Sequence, residues 1–472
     1  MHNNGLKGPL WNITRKMNQN LKATIKTKDG PTRPISIKDS IRQGGVLSGI
    51  QYALLMDEIA KEISNQNKGC TLPNHQEKLG CLLWMDDVVL ISDNKQEIQD
   101  LLHITNQVAG KYHLEFGEEK SKYMTIGTNA TLNLKLGNMT LEKTTKYKYL
   151  GEIIHEKMNL EPNIKEARSK AEGALQTILA IAGDPLLKGI QMETIWKLVE
   201  TCIIPIITYG SETWEPTKKE TKSANQVLDS ILKRILKLPT STSREPLYIE
   251  TGILDIEHTT KKLRIGMLQR VEKTKSDLLD KILQNPNDNS WAMKTKKIMN
   301  HINYQQTTEE SKTTTKKKVK EAVNKAFHNE INESSKEKSK TQHLLNGITK
   351  WAPGKRPQYM TSLNRNQVSL IFKARTRMLP VKNNFRNQHK DNLCRGCKAE
   401  IESQQHVLQE CSGIHKNDTT RVTPTQFFTE DIQTLQKTFD NIYLILKELE
   451  QSEVRPALTG TITRPGIRTH TR

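Results

Sequence analysis

The stretch Leu79-Gly-Cys-Leu-Leu-Trp-Met-Asp-Asp-Val-Val-Leu-Ile-Ser92 places two adjacent aspartates, Asp86 and Asp87, inside an otherwise apolar run. Neighbouring carboxylates repel one another and lose hydration in apolar surroundings unless a cation neutralises them. The apolar, partly β-branched residues at 81–84 and 88–91 predict two strands, with the aspartates at the tip of a hairpin. Such a tip is a candidate Mg²⁺ site, because Mg²⁺ binds one or two carboxylates together with substrate phosphates. A solvated turn is the simpler alternative.

Two further segments flank this hairpin in the sequence. Upstream, Ile41-Arg-Gln-Gly-Gly-Val-Leu-Ser48 contains a glycine pair, which allows the backbone to approach a ligand closely. Downstream, Lys146-Tyr-Lys-Tyr-Leu-Gly-Glu-Ile-Ile154 predicts a strand with a kink at Gly151. Taken singly, each segment also fits an ordinary turn, helix or strand.

In this order the segments resemble the polymerase motifs of reverse transcriptases from non-LTR (LINE-type) retrotransposons. Arg42-Gln43-Gly44 resembles the fourth motif of that family, and Met85-Asp86-Asp87 resembles its metal-binding hairpin. The segment Leu114-Glu-Phe-Gly-Glu-Glu-Lys-Ser-Lys-Tyr-Met124 resembles the next motif, with Lys120 at its basic position. Tyr149-Leu150-Gly151 resembles the primer-grip hairpin.

The resemblance implies an RNA-directed DNA polymerase that uses an RNA template, a DNA primer, dNTPs and Mg²⁺. It implies that Asp86 and Asp87 hold the metal and that Lys120 stabilises charge on the leaving phosphates, although a solvated lysine is an alternative for Lys120. The substrate or template contacts that it implies are Arg42, Gln43, Gly44, Tyr149, Leu150 and Gly151. Two-metal nucleotidyl transfer also needs carboxylates that bridge both ions.

The sequence departs from the family pattern in two places. Gly49 stands where the family usually has proline after Leu-Ser. The family also has a first catalytic Asp on an upstream strand, and nothing in residues 1–40 matches it: Asp29 lies in a turn sequence, and Asp39 directly precedes the glycine-pair motif. We therefore expect an N-terminally truncated polymerase that is inactive by itself.

A second group of residues predicts a metal site near the C-terminus. Cys394-Arg-Gly-Cys397 is followed by His406 and Cys411, which gives the spacing C-x₂-C-x₈-H-x₄-C. Two cysteines two residues apart can point both thiolates at one tetrahedral ion, and four soft ligands with no open position favour structural Zn²⁺. Unrelated reduced cysteines are the alternative, and His415 is a spare ligand candidate. A similar Cys-Cys-His-Cys knuckle closes many LINE-type polyproteins.

Composition favours a nucleic-acid partner. The 472 residues include 72 Lys and Arg against 52 Asp and Glu, which gives a net charge of +20. Such a surface attracts phosphates. No apolar core opens the first 20 residues and no apolar run is long enough to span a membrane, so we expect an intracellular, nuclear or cytoplasmic protein that is not secreted. Six cysteines in a chain of this length favour a reducing compartment.

Four basic segments could contact phosphates. For the first a solvated face is the alternative, and the second could instead be a solvated linker or a nuclear localisation signal. The four segments are the lysines and arginine of helix 227–238 (Lys233, Arg234 and Lys237), the cluster Thr313–Lys320, the basic and aromatic segment Lys350–Tyr359, and the basic helix Phe372–Arg377. The alternative function is therefore a non-catalytic nucleic-acid-binding protein that uses the zinc knuckle and basic helices.

The sequence predicts an α+β chain with a partial right-hand polymerase palm, a helical thumb and connector, and a small C-terminal zinc knuckle. We assign residues 1–158 to the partial palm and 159–283 to the thumb and connector. Residues 284–345 are polar and basic and predict a linker. Residues 346–415 form the basic region with the knuckle, and 416–472 are expected to hold one helix and a disordered tail.

Overall fold

The computed structural model describes residues 1–2, 5–37, 44–183, 190–284, 287–305, 311–348, 351–385, 391–415 and 420–454. Asp39, Arg42 and Gln43 lie outside the described residues, as does the tail from residue 455 onwards. The chain forms two compact units. The first unit comprises residues 1–159 and 271–290, and the second comprises 160–270 and 291–472.

The described strands all belong to the first unit and pair in twos. Every pair is antiparallel except β9 with β12, which is parallel. In chain order the strands are β1 Lys22–Ala23, β2 Lys26–Thr27, β3 Gly30–Pro31, β4 Ile35–Ser36, β5 Cys70–Thr71, β6 Lys78–Leu79, β7 Cys81–Trp84, β8 Asp87–Leu90, β9 Lys122–Tyr123, β10 Lys135–Leu136, β11 Met139–Thr140, β12 Glu142–Lys143, β13 Lys146–Tyr149 and β14 Glu152–His155.

The helices are distributed over both units. They are α1 Gly8–Met17, α2 Ser48–Asn65, α3 Lys95–Lys111, α4 Glu161–Gly183, α5 Met192–Leu198, α6 Ile204–Ile207, α7 Lys218–Ile235, α8 Arg244–Thr251, α9 Ile256–Lys273, α10 Asp277–Leu283, α11 Trp291–His301, α12 Lys312–Ser335, α13 Ser339–Gly347, α14 Tyr359–Ser362, α15 Arg365–Arg375, α16 Pro424–Phe428 and α17 Ile432–Val454. A π-helical segment, Val199–Ile203, joins α5 to α6.

The core of the first unit holds the β7–β8 hairpin against α2 and α3. Side chains alternate along β7, so that Leu83 packs on the core while Leu82 and Trp84 are exposed. The core itself is built from apolar residues of both helices, namely Met56, Ile59, Ile63, Leu101 and Val108. This period-two alternation fixes which face of the hairpin is buried.

The second unit is helical and has one large apolar core. Helices α7 and α15 contribute fully buried residues such as Leu228 and Phe372. The same core contains Cys394, Val407 and Cys411. The segment with the candidate zinc ligands is therefore packed into this unit. Among the described residues, no helix is long and apolar enough to cross a membrane.

The described parts of residues 284–345 are mostly helical, so the predicted linker was wrong for them. Helix α12 shows why the composition was misleading. One residue in four is buried along it, in the series Thr315, Val319, Val323, Phe327, Ile331 and Ser335. Such a narrow stripe is enough to anchor a helix whose other positions are polar.

Candidate active site and candidate metal centre

The aspartate pair lies at the tip of a two-residue hairpin turn. Trp84 pairs with Asp87 at the end of the β7–β8 ladder, and Met85 and Asp86 form the turn between them. The structure confirms the predicted hairpin, with its second strand beginning at Asp87 rather than at residue 88. Both aspartates are exposed, which leaves their carboxylates hydrated and open to a ligand.

Two tyrosines, one on α2 and one on β13, lie close enough to these carboxylates to interact with their charge. Burial raises the pKa of Tyr52, on α2, and the negative charge of Asp86 raises it further. Burial raises the pKa of Tyr149, at the end of β13, and the charge of Asp87 adds to the effect. The hairpin tip is thus close to the helix that follows the glycine-pair motif and to the β13–β14 hairpin. Both phenols stay protonated near neutral pH and can donate hydrogen bonds.

The β13–β14 hairpin turns at Leu150 and Gly151. Both residues have positive φ, 48° and 88°, as a two-residue hairpin turn of type I′ requires. The predicted kinked strand is therefore a complete hairpin. The hydroxyl of Tyr147 donates to the carbonyl oxygen of Lys120 at 3.0 Å and joins this hairpin to the motif that precedes it.

The structure shows no hydrogen bond or ion pair between the aspartate pair and the remaining predicted active-site residues that it describes, Lys120 and Gly44. The Lys120 side chain is exposed in a turn, and the hydrogen bonds and ion pairs found among the described residues include none between it and Asp86 or Asp87. Gly44 has a left-handed φ of 77°. No group of three or more potential metal ligands in the described chain includes either aspartate.

The four predicted zinc ligands come together in the second unit. One ligand atom from each of Cys394, Cys397, His406 and Cys411 lies within 4.8 Å of the others. The Sγ atoms of Cys394 and Cys411 are 3.6 Å apart, and Sγ of Cys397 is 3.3 Å from Nε2 of His406. A tetrahedron with Zn–S bonds of about 2.3 Å has edges of about 3.8 Å. The donor set and its spacing therefore fit Zn²⁺.

The environment of the thiols agrees with a cation at this position. Burial opposes ionisation of Cys397, but hydrogen bonds from the backbone of Ala399 and Glu400 and from His406 lower its pKa to about 6. Burial and the neighbouring Cys394 thiol raise the pKa of Cys411 to about 12. The pKa of Cys397 is therefore lowered while that of Cys411 is raised. A bound divalent ion would favour the thiolate form of every cysteine in the cluster.

Packing around the ligands holds them in place. Adding a Cβ to Gly413 would bring it within 2.5 Å of the Gly396 backbone, so glycine is required for this close approach. Arg395 forms an ion pair with the buried carboxylate of Glu402, which also accepts hydrogen bonds from the backbone of Arg395 and Lys382. The spare candidate, His415, contacts Thr420 and the carbonyl oxygen of Val407 through its two ring nitrogens and is outside the cluster.

The two basic segments before the knuckle, Lys350–Tyr359 and Phe372–Arg377, each contain a buried residue that cannot contact nucleic acid. Arg375 pairs with Glu250 through Nε at 3.1 Å, and both side chains are fully buried. Tyr359 is also fully buried and donates its hydroxyl to Glu250. The sequence suggested phosphate contact and base stacking for Lys350–Tyr359 and an additional basic helix at Phe372–Arg377, whereas Tyr359 and Arg375 belong to the core.

Most of the first unit is similar to a known protein family. Residues 8–154 match the family of reverse transcriptases, RNA-dependent DNA polymerases. This match spans the hairpin of Asp86 and Asp87, the motif of Lys120 and most of the β13–β14 hairpin. The chain therefore carries a reverse transcriptase domain.

Two relatives are proteins of transposable elements. An uncharacterized transposon-derived protein of Caenorhabditis elegans is 23% identical over 204 residues, which are 41% of this chain and 72% of that protein. A retrovirus-related Pol polyprotein from a type-1 retrotransposable element of Popillia japonica is 21% identical over 267 residues, 54% of this chain. The match spans 36% of the Popillia polyprotein. The predicted relationship to non-LTR reverse transcriptases is confirmed.

Sequence analysis missed Tyr52 as a neighbour of the aspartate pair. Tyr52 is the fifth residue of α2, a position that no polymerase motif in the sequence marks. The only signal in the sequence was that Tyr52 follows Ser48, the last residue of the glycine-pair motif, by one helical turn. The match of Tyr149 to the primer-grip motif pointed to the second tyrosine directly.

Proposed function

We propose that this chain derives from an RNA-directed DNA polymerase and that Asp86 and Asp87 bind Mg²⁺ for two-metal nucleotidyl transfer. The observation that supports this most directly is the exposed carboxylate pair at the tip of the β7–β8 hairpin, whose charges raise the pKa values of Tyr52 and Tyr149. Bound Mg²⁺ would lower the negative charge at the reacting phosphate and support the leaving pyrophosphate. The two carboxylates would supply protein ligands, and the dNTP phosphates would complete the shell.

We further propose that the chain does not polymerise by itself. In the described residues, no third acidic side chain joins Asp86 and Asp87 within ligand distance. Metal binding to the pair alone would be weak without a bridging carboxylate. The RNA template, the DNA primer and the dNTP are thus the proposed partners, and catalysis would need a further acidic group.

Primer extension on a primed RNA template with Mg²⁺ tests this incompleteness. The expected result is no extension. Extension that is lost in Asp86→Asn and kept in the surface control Asp57→Asn would show a complete site and overturn the proposed inactivity.

Metal binding tests the role of the aspartates independently of turnover. Mn²⁺ in the presence of dNTP can be followed by electron paramagnetic resonance. We expect the double variant Asp86→Asn/Asp87→Asn to lose a class of bound Mn²⁺ that Asp57→Asn retains. Equal Mn²⁺ binding by all three proteins would contradict a metal site at the hairpin tip.

The second candidate function is non-catalytic nucleic-acid binding through the helical unit. It is favoured by the charge distribution, since residues 338–390 contain no Asp or Glu. A binding protein of this kind would keep its affinity in Asp86→Asn and weaken steeply with salt. In both cases we propose that Cys394, Cys397, His406 and Cys411 bind structural Zn²⁺.

A further inference from the structure

Two segments without acidic residues meet in the second unit. Residues 230–244 contain no Asp or Glu, and neither do residues 338–390. The fold brings the end of α7, in the first segment, onto the start of α15, in the second. Arg365 donates through Nε to the carbonyl oxygen of Ile235 at 2.8 Å, and Ser369 donates to that of Leu236 at 2.6 Å. Residues about 130 positions apart thereby form one surface.

This region collects cations, and we call it the α7–α15 basic surface. Its members are Lys233, Arg234, Lys237, Arg365 and Lys373. Neutral atoms serve as the hydrogen-bond acceptors found for these side chains. Lys237 donates to Oδ1 of Asn366 at 2.6 Å, and Lys233 donates to the carbonyl oxygen of Thr240 at 2.6 Å. Among the described residues, no ion pair to Asp or Glu involves any member of the surface, and Asp229 on α7 interacts with Lys233 only through its charge.

Ordinary helix stabilisation explains only part of this arrangement. A cation at a helix C-terminus satisfies its free carbonyls, and Arg365 does this for α7. Lys237 and Lys373 are different, because they lie close enough to repel each other. Burial lowers the pKa of Lys373, and the positive charge of Lys237 lowers it further. Like charges brought together without a counter-charge cost free energy unless an anion binds between them.

We propose that the α7–α15 basic surface binds the phosphate backbone of a nucleic-acid duplex. The lysines of this surface are half-buried or exposed, so their ammonium groups can pair with successive phosphates along a strand. Such contacts position a duplex without reading its sequence. The inference adds a binding surface to the proposed function and rests on nucleic acid being the partner. It does not depend on the aspartates being active.

Charge-neutralising variants of the full chain test the surface. The probe is a fluorescent RNA–DNA hybrid of about 20 base pairs, titrated at several salt concentrations. For Lys233→Gln/Lys237→Gln/Lys373→Gln we expect affinity to fall at least about tenfold at low salt. We also expect the slope of log affinity against log salt to become shallower by about three, because each lysine that pairs with a phosphate adds about one to that slope.

A matched control removes the same charge elsewhere in the second unit. Lys165, Lys437 and Lys447 are exposed, and their triple replacement by Gln should leave the slope close to that of the wild type. The charge-preserving variant Lys237→Arg/Lys373→Arg should bind normally, which separates an effect of charge from an effect on folding. Equal reductions of duplex affinity in the two triple variants would mean that only the net charge of the protein matters, and would overturn the proposal.

Two more outcomes would overturn the proposal. One is unchanged duplex binding by the first triple variant. The other is full competition by a poly-glutamate peptide at equal charge, which would indicate an acidic protein partner instead. Duplex binding is measured without Mg²⁺ or dNTP, so failure of the metal site and failure of this surface are distinguishable.

Discussion

At the residue scale, the turn of the β13–β14 hairpin depends on Gly151. Its φ of 88° is strained for any residue with a Cβ. We expect Gly151→Ala to lower the free energy of unfolding of the first unit by about 1 kcal/mol. Gly110→Ala is the matched control, because Gly110 lies in α3, where an added Cβ meets no atom within 4 Å. That control should be neutral or stabilising by up to about 1 kcal/mol.

Urea denaturation monitored by circular dichroism measures both changes. If both glycine variants had the same stability, the left-handed turn would carry no strain, and the proposed hairpin geometry at Leu150 and Gly151 would be wrong. The comparison matters for function, because this hairpin carries Tyr149, whose pKa responds to the charge of Asp87.

A buried carboxylate predicts how stability depends on pH. Burial disfavours the charged form of Asp255, but hydrogen bonds from His258 and the charges of His258 and Arg244 outweigh it and lower the pKa of Asp255. Arg244 Nη2 is 2.7 Å from the carboxylate. With a lower pKa in the folded chain, Asp255 binds a proton less readily there than in the unfolded chain. The ionised carboxylate therefore stabilises the folded chain at pH values above the unfolded pKa of about 3.9. This stabilisation is lost as the pH falls through the lower, folded value.

The measurement is the urea midpoint of the wild type and of Asp255→Asn at about pH 6 and about pH 3. Asp255→Asn should cost roughly 3–5 kcal/mol at the higher pH, because Arg244 loses its buried partner. The gap between the two proteins should narrow at the lower pH. A gap that stays constant across this range would show that the pKa of Asp255 is not lowered by folding.

At the element scale, sequence analysis succeeded where a motif is local. The β7–β8 hairpin and the cluster of Cys394, Cys397, His406 and Cys411 each fit within about 20 residues, so their patterns are complete in the sequence. It failed for α12, whose buried face of one residue per turn is hidden by lysines and asparagines. It also failed for Arg375, because only the fold brings Glu250 to it. Interactions between distant segments have no local signature.

The knuckle is the element where removal of a metal should have the largest effect. Cys394 and Cys411 are fully buried in the main core of the second unit, so empty thiols there would lose both ligation and packing. We expect one tightly bound Zn²⁺ per chain. We expect Cys394→Ser to abolish it and to lower the free energy of unfolding by several kcal/mol, since structural zinc contributes directly to folding.

Zinc released on unfolding can be quantified with a chromogenic chelator. Cys202→Ser is the matched control, because Cys202 is an exposed free cysteine outside the cluster. It should retain zinc and stability. Stoichiometric zinc in the purified Cys394→Ser protein would contradict the assigned ligand set.

At the scale of the whole molecule, the two units have separate apolar cores. The first is centred on residues such as Leu101, and the second on residues such as Leu228. A chain with two cores need not unfold in one cooperative step. We therefore expect two thermal transitions. Truncating a core side chain of the first unit should shift the transition of the first unit, and removing the zinc should shift the transition of the second unit.

Leu101→Ala and Cys394→Ser make this assignment. Leu101 is fully buried, so its truncation should cost about 2–5 kcal/mol and lower the midpoint of the first unit alone. A zinc chelator should lower the midpoint of the second unit in the wild type and in Leu101→Ala, and should change nothing further in Cys394→Ser. Calorimetry resolves the two transitions. If each change moved both transitions equally, the units would fold as one, and the helical unit would depend on the polymerase domain for its stability.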